Sequence, residues 1–428
     1  MMEKLVDRMG EANFRSGIQE YLKTYSYANA TWDDLIRILD GKASEDLATF
    51  SDVWVNRKGM PTLNFRIDGQ ELEVRQSDPY NRGLLWPQRF AVTLCGERDS
   101  VLRVNMTDTL VRIQLPFVPS LVLPNTDGRG YGLFVPDESA LKWLLAHWWE
   151  VKDDTARQSL LMTLYENYLA KHISADDWTN SLLAGLPAEK NALVASTVSG
   201  YLAGAMRRVA PAQIAEVEAR VYAISRNHPL PSCRVQLLRY FMQNATSQPM
   251  VKELYALWQE QSDKRLNQQD YTTLAYELAI RLPAESEQIL RTQRARIDDP
   301  DRLRQFDFIS RAVVSDTARL DTLFNSLLVA ENRRIEPWTA AVIRYLNHPL
   351  REEQSVKYIR PGLEVLEEVQ RTGDIFFPKN WASALLGNHL SRPAYEEVVR
   401  FLDAHPDYSP LLKNKILQAA YSLYREND

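Results

Sequence analysis

From Pro136 to the end of the chain, apolar residues recur at the spacing of helices and never settle into the alternation of strands. No other feature narrows the fold as much, because it commits most of the 428 residues to helix packing. Segments such as 137–151, 153–172, 211–227 and 300–314 follow one another with short breakers between them. Prolines stand at or near many of the starts (Pro136, Pro211, Pro231, Pro283, Pro337), where a missing N–H costs little. Roughly sixteen helices over about 290 residues give a hairpin period of around 36, the scale of helical solenoids. Short connections predict antiparallel neighbours. Self-similarity is slight: Asn227-His228-Pro229-Leu230 and Asn347-His348-Pro349-Leu350 match over only four residues. The expectation is an irregular, curving array of antiparallel helix pairs.

Between about residues 50 and 135 the period is different. Leu63, Phe65 and Ile67, then Leu72 and Val74, alternate with polar residues on either side of Asp68-Gly69, a strong hairpin signal. Runs at 90–95, 101–104 and 110–115 continue the pattern, and 118–124 adds one more strand. Short strands at roughly ten-residue spacing predict a small β-sandwich. The fold class expected is multi-domain and mainly α. Helices fill residues 1–47, the β-sandwich residues 48–135 and a large α-solenoid residues 136–428.

Composition is that of an ordinary soluble protein, with 45% hydrophobic and 25% charged residues. A net charge of -5 gives no electrostatic reason to expect a nucleic-acid partner. No apolar run approaches the ~18 residues of a membrane span, and no charged leader precedes an apolar core. The compartment stays open between cytoplasm and periplasm. Cys95 and Cys233 fall in different predicted domains and read as two buried thiols.

Met1 opens directly into a helical pattern that runs to about Tyr25 without an N-cap, as if cut from a longer element. Asn29 and Thr31 are good N-cap types, and Asp34 can complete a capping box with Thr31. This region reads Gly10-Glu11-Ala12-Asn13-Phe14-Arg15-Ser16-Gly17-Ile18, then Tyr27-Ala28-Asn29-Ala30-Thr31 and Trp32-Asp33-Asp34-Leu35. It resembles the stretch that closes the catalytic domain in the aminopeptidase N family of zinc peptidases. Trp54 with Lys58-Gly59-Met60-Pro61 resembles the start of that family's β-sandwich. Asn125-Thr126-Asp127-Gly128-Arg129-Gly130-Tyr131-Gly132 resembles the strand that leaves it. The resemblance is sharp before about residue 135 and rests on architecture beyond it.

The resemblance implies peptide substrates and a zinc ion held by His-Glu-x-x-His and a distant glutamate. It also implies a Gly-x-Met-Glu-Asn strand for the free amine and a tyrosine that stabilises the intermediate. The sequence contains neither motif, and the tyrosine's place falls before Met2-Glu3-Lys4. The six histidines, at positions 147, 172, 228, 348, 389 and 405, include no pair spaced for one helix face. No catalytic residue, metal ligand or cofactor is therefore assigned to this chain, and zinc is expected in a catalytic domain outside it.

Asp127-Gly128-Arg129-Gly130 reads as a tight turn rather than a ligand cradle. The acidic pairs Asp153-Asp154 and Asp176-Asp177 read as helix starts. In the resembled family the helical domain caps the cleft around the C-terminal side of the peptide, where arginine would suit a carboxylate. Candidates are Arg360 and Arg371, flanking the most loop-like and aromatic piece of the tail, and Lys379 just after it. Phe376, Phe377 and Trp381 are expected in the core. The function expected is the non-catalytic C-terminal portion of a zinc-dependent aminopeptidase, packed against its own catalytic domain. The alternative is a stand-alone helical-repeat scaffold that binds protein partners.

Overall fold

Gly10 takes a positive φ of 80° and breaks the N-terminal helical pattern into α1 (Met2–Met9) and α2 (Glu11–Thr24). One continuous helix to Tyr25 was the expectation; a backbone conformation that only glycine adopts freely ends it early. The structure is a computed structural model and describes residues 1–427. The second glycine of the Gly-x-x-x-x-x-x-Gly stretch has a different task. Gly17 is the one buried residue of α2, and a Cβ there would collide with Leu39 of α3 (Trp32–Asp40). Both halves of the capping box between Thr31 and Asp34 are formed. Leu5, Met9, Leu35, Ile36 and Leu39, with Leu47 and Phe50 from α4 (Leu47–Ser51), make the small core of these helices.

The strands follow. β1 (Thr62–Asp68) and β2 (Glu71–Ser77) pair antiparallel across the expected turn, with Gly69 at φ 58°. β3 (Gln88–Cys95), β4 (Ser100–Met106), β5 (Leu110–Gln114), β6 (Leu121–Leu123) and β7 (Leu133–Val135) complete two sheets. Their orders are β5-β2-β1-β7 and β4-β3-β6. The inner faces share one core in which Phe65, Phe90 and Phe134 touch ring to ring. Cys95 is half-buried and Cys233 buried, and both thiols are free.

Helices α5 (Glu138–His147), α6 (Asp154–Leu169), α7 (Ala175–Gly185) and α8 (Ala192–Met206) come next. Asp137, Asp153 and Ser174 each accept a backbone N–H as N-cap of the helix that follows. The acidic pairs at these starts thus have a structural task. Trp148 is fully buried at the end of α5, where Gly185 leaves room for its ring.

The chain forms two compact units. The first comprises Met1–Val209 and His228–Cys233; the second comprises Ala210–Asn227 and the chain from Arg234 onward. Within the second unit an N-terminal or C-terminal helix end is repeatedly closed by a side chain one hairpin away. Arg265 donates to the Ser225 carbonyl (2.7 Å), Arg281 to Ala245 (2.6 Å) and Gln243 (2.7 Å), and Arg296 to Trp258 (2.9 Å) and Gln259 (3.0 Å). Arg351 donates to the carbonyls of Ala312, Val313 and Val314. These separations run from 36 to 40 residues. Carboxylates do the converse at N-terminal ends. Glu218 accepts from the N–H groups of Thr246 and Ser247, and Glu352 from those of Leu390 and Ser391.

The two Asn-His-Pro-Leu segments share one side-chain cap. The histidine Nδ1 accepts the N–H of the leucine two residues on, at 3.1 Å in His228 and 3.2 Å in His348. That leaves Nε2 to carry the proton of the neutral ring. It meets the Leu186 carbonyl in the first case and the buried Glu277 carboxylate in the second. The four-residue match is thus a histidine cap followed by a proline-started turn.

The three carbonyls held by Arg351 make it the most exacting of these ties. Replacing Arg351 with Met leaves them without a charged donor in a half-buried site. Urea unfolding is expected to show a loss of about 2–4 kcal/mol, against less than about 0.5 kcal/mol for Arg304→Met on an exposed helix face.

Candidate functional site

The structure places Arg360, Arg371 and Lys379 on three different helices of the second unit, all of them exposed. Arg360 lies in the helix Ile359–Glu364, with its Nε 3.9 Å from Glu397. Arg371 ends the helix Leu366–Thr372 and Lys379 begins the helix Phe377–Leu386. Among the described residues no hydrogen bond or ion pair joins the three. The segment they flank is not loop-like: helices cover it apart from Val365 and residues 373–376. Gly362 presses on Leu385 and its carbonyl takes the Trp381 indole N–H at 2.8 Å, which holds Pro361-Gly362 in a helical turn.

Phe377 and Trp381 are buried, but Phe376 is 64% exposed. The Asp374 carboxylate accepts the N–H of both Phe376 and Phe377, and the turn it fixes points one ring in and its neighbour out. The expectation of Phe376 in the core is thereby corrected.

The first unit holds a concavity to which no motif in the sequence points. A cavity of about 760 Å³ opens between the turn after β6, one face of α6 and the first two turns of α8. The turn is built from within. Asn125, at φ 51°, holds the Gly130 N–H on its Oδ1 at 2.7 Å and gives its carbonyl to Ser159 of α6 at 2.5 Å. Gln88 clamps Tyr131 at both backbone groups, at 2.8 and 2.9 Å. Asp127-Gly128-Arg129-Gly130 is therefore the turn expected, and it also forms one wall of the cavity.

The opposite wall is a helical stripe. Thr155, Gln158, Ser159, Met162, Thr163 and Glu166 stand at the spacing of one α6 face. The hydroxyls of Thr163 and Ser159 are spent on carbonyls. Gln158 Oε1 is buried without a hydrogen-bond donor. Met162 and Leu193 of α8 leave 54% and 79% of their surface open. Burial, reinforced by the charge of Glu166, raises the Tyr131 phenol above its ordinary value.

Behind the turn, α1 is tied to the same loop. Lys4 Nζ donates to the Arg129 carbonyl at 2.9 Å and sits 4.4 Å over the Trp54 ring, which in turn meets Tyr131. Arg129 pairs with Asp7 at 3.3 Å. Burial draws the Lys4 ammonium down to about 8, against the upward pull of Asp7 and Asp127.

Among the described residues no group of three or more His, Cys, Asp or Glu side chains is placed to hold a metal ion. The residues present therefore do not fit the zinc of the resembled family, and no chemistry is derived through it. No helix among those residues is long and apolar enough to cross a membrane.

No family model matches the chain. Comparison with curated proteins finds aminopeptidase N of Streptomyces lividans, 24% identical over 216 residues, which are 45% of this chain and 25% of that protein. It also finds tricorn protease-interacting factor F2 of Thermoplasma acidophilum, 18% identical over 204 residues, 48% of this chain and 25% of the relative. Aminopeptidase M1-B of Oryza sativa subsp. japonica is 25% identical over 103 residues, 23% of this chain and 12% of the relative. The matched stretches thus span a quarter or less of these relatives. Over about half its length the chain resembles the C-terminal part of aminopeptidases of the N, or M1, family.

The Lys4 contact has a testable sign. Folded Lys4 releases its proton near 8 and the unfolded residue near 10.5. Between those values the unfolded chain holds more protons, so this group adds stability as pH rises. The stability difference between the native chain and Lys4→Met is expected to shift in favour of the native chain by about 1–2 kcal/mol from pH 7 to pH 10, after allowance for solvent screening. Urea midpoints at the two pH values read it.

Proposed function

We propose that this chain is the non-catalytic C-terminal portion of a zinc-dependent aminopeptidase. In this reading it packs against a separate catalytic region, encloses the cleft that region forms, and limits which peptides enter. The observation that carries the proposal is the match to aminopeptidases over 45% and 48% of the chain. The helices before the sandwich support it. Phe14, Ile18 and Tyr21 of α2 pack, partly buried, on the core of these helices, while Leu22 on the same helix stays open. Leu22 is 62% exposed, and Tyr27 just beyond is fully exposed. The catalytic region is the occupant this face suits, because the same residues carry the resemblance to the end of a catalytic domain.

In the assembled enzyme the second unit would supply the cap. Arg371 and Lys379, which make no ion pair among the described residues, and Arg360 are the cations proposed to meet the C-terminal carboxylate of a bound peptide.

The reading frame upstream of the Met1 codon, or the adjacent gene, is expected to encode His-Glu-x-x-His. The chain purified by itself is expected to hold no stoichiometric zinc by elemental analysis and to leave leucyl-p-nitroanilide uncut. With the catalytic region added, cleavage is expected, and Arg371→Ala/Lys379→Ala is expected to raise KM for a tripeptide several-fold while sparing the anilide, which lacks a carboxylate. Zinc-dependent turnover by the chain alone, or an upstream region with no peptidase motif, would sink the proposal.

A further inference from the structure

The second unit holds a smaller cavity of about 230 Å³. It opens between the N-terminal half of the helix Gln268–Arg281, the loop 295–299 and the helix Pro300–Ile309. Four charged side chains line it: Arg296, Asp298, Asp299 and Arg302. Two of them are spent. Arg296 donates to the Trp258 and Gln259 carbonyls, and Asp299 caps its helix by accepting the N–H groups of Asp301 and Arg302. The Asp298 carboxylate and the Arg302 guanidinium make no hydrogen bond or ion pair among the described residues, with each other or with any third group. One uncommitted charge of each sign therefore borders the same small space.

The rest of the lining decides what kind of ligand those charges take. The rings of Tyr276 and Phe306 stack at 5.3 Å and are 3% and 2% exposed, and Ile297 packs on the same apolar cluster. A simple anion would meet Arg302 but be opposed by Asp298, and a simple cation the reverse, so the pair favours a ligand that carries both charges. The aromatic and aliphatic side chains favour an uncharged body on that ligand. A volume of about 230 Å³ is below the range of drug-sized sites, which leaves room for one residue and not for a peptide of several.

We infer that this cavity is a binding site for a free α-amino acid with an apolar side chain. Its carboxylate pairs with Arg302, its ammonium with Asp298, and its side chain lies against Ile297 and the Phe306 ring. This is also the class of compound that an aminopeptidase releases, but the inference rests on the cavity alone. It shares no residue with Arg360, Arg371 and Lys379, so it stands or falls apart from the proposed role as an aminopeptidase portion.

The test titrates the full chain with L-leucine and L-phenylalanine, using calorimetry or ligand-observed NMR. Three controls each lack one feature: N-acetyl-leucine the ammonium, leucinamide the carboxylate and glycine the apolar side chain. Saturable binding of leucine and phenylalanine is expected, with each control about tenfold weaker or more. Arg302→Gln is expected to weaken leucine about tenfold and to remove its advantage over leucinamide. Asp298→Asn is expected to remove the advantage over N-acetyl-leucine in the same way. Both positions are exposed, and circular dichroism with urea midpoints establishes that each variant folds. Binding of any control as tight as leucine, undiminished leucine binding by either folded variant, or no saturation by either amino acid up to about 10 mM would overturn the inference.

Discussion

A helix that ends inside a protein leaves carbonyls without partners, and this chain has many helices and few long ones. In the second unit those carbonyls are closed by arginines that come from the neighbouring hairpin. Arg265, Arg281, Arg296 and Arg351 each reach back to the last turn of an earlier helix. Glu218 and Glu352 do the same for N–H groups. Every such bond ties the end of one helix to a side chain of another, so it fixes where a helix stops and which neighbour lies beside it. Apolar burial supplies the larger energy in the core from Tyr276 to Leu423, but it is non-directional and does not set register. The polar ties supply the direction.

That division explains what the sequence disclosed. Helix period, the Asp68-Gly69 hairpin, the Thr31 capping box and the acidic helix starts are local, and each arises from residues within a few positions of one another. The spacing of around 36 residues per helix pair is an average over the helix count of the tail and marks no recurring motif. The arginines stand 36 to 40 residues from the carbonyls they close. The arginines themselves were not legible in this role. An arginine that donates to a carbonyl 38 residues away has no local signature, and Arg296 reads like any other charged residue on a helix. Phe376 and Phe377 show the same limit at shorter range. Adjacent aromatics were assigned one fate, and a single carboxylate, Asp374, separates them.

The cavity of the first unit was missed for a related reason. Its walls come from residues 125–134, 154–166 and 191–197, which share no motif. The glycines of the Asn125–Gly132 stretch were read as turn residues, and they are: Gly128 has φ 67°, and a Cβ on Gly130 would strike Phe134 and Asn125. The same lack of side chains leaves open space above the turn. α6 fills that space only in part, because Thr155, Ser159 and Thr163 are small. One composition therefore serves a backbone need and creates a concavity, and only the second consequence depends on which helix faces the turn.

The kind of bond that organises these helices sets how many positions in the sequence it constrains. In a side chain–to–side chain pair both positions are constrained, and a change at one must be answered at the other. When Arg351 donates to the carbonyls of Ala312, Val313 and Val314, only the arginine is constrained; the other three residues are free to vary, since every residue has a carbonyl. The Asn227 and Asn347 segments show the limit of this freedom: Asn, His, Pro and Leu recur, and the residues around those four do not. Side chain–to–backbone ties thus halve the number of positions that must be kept. An array built on them can hold its arrangement while much of its sequence changes.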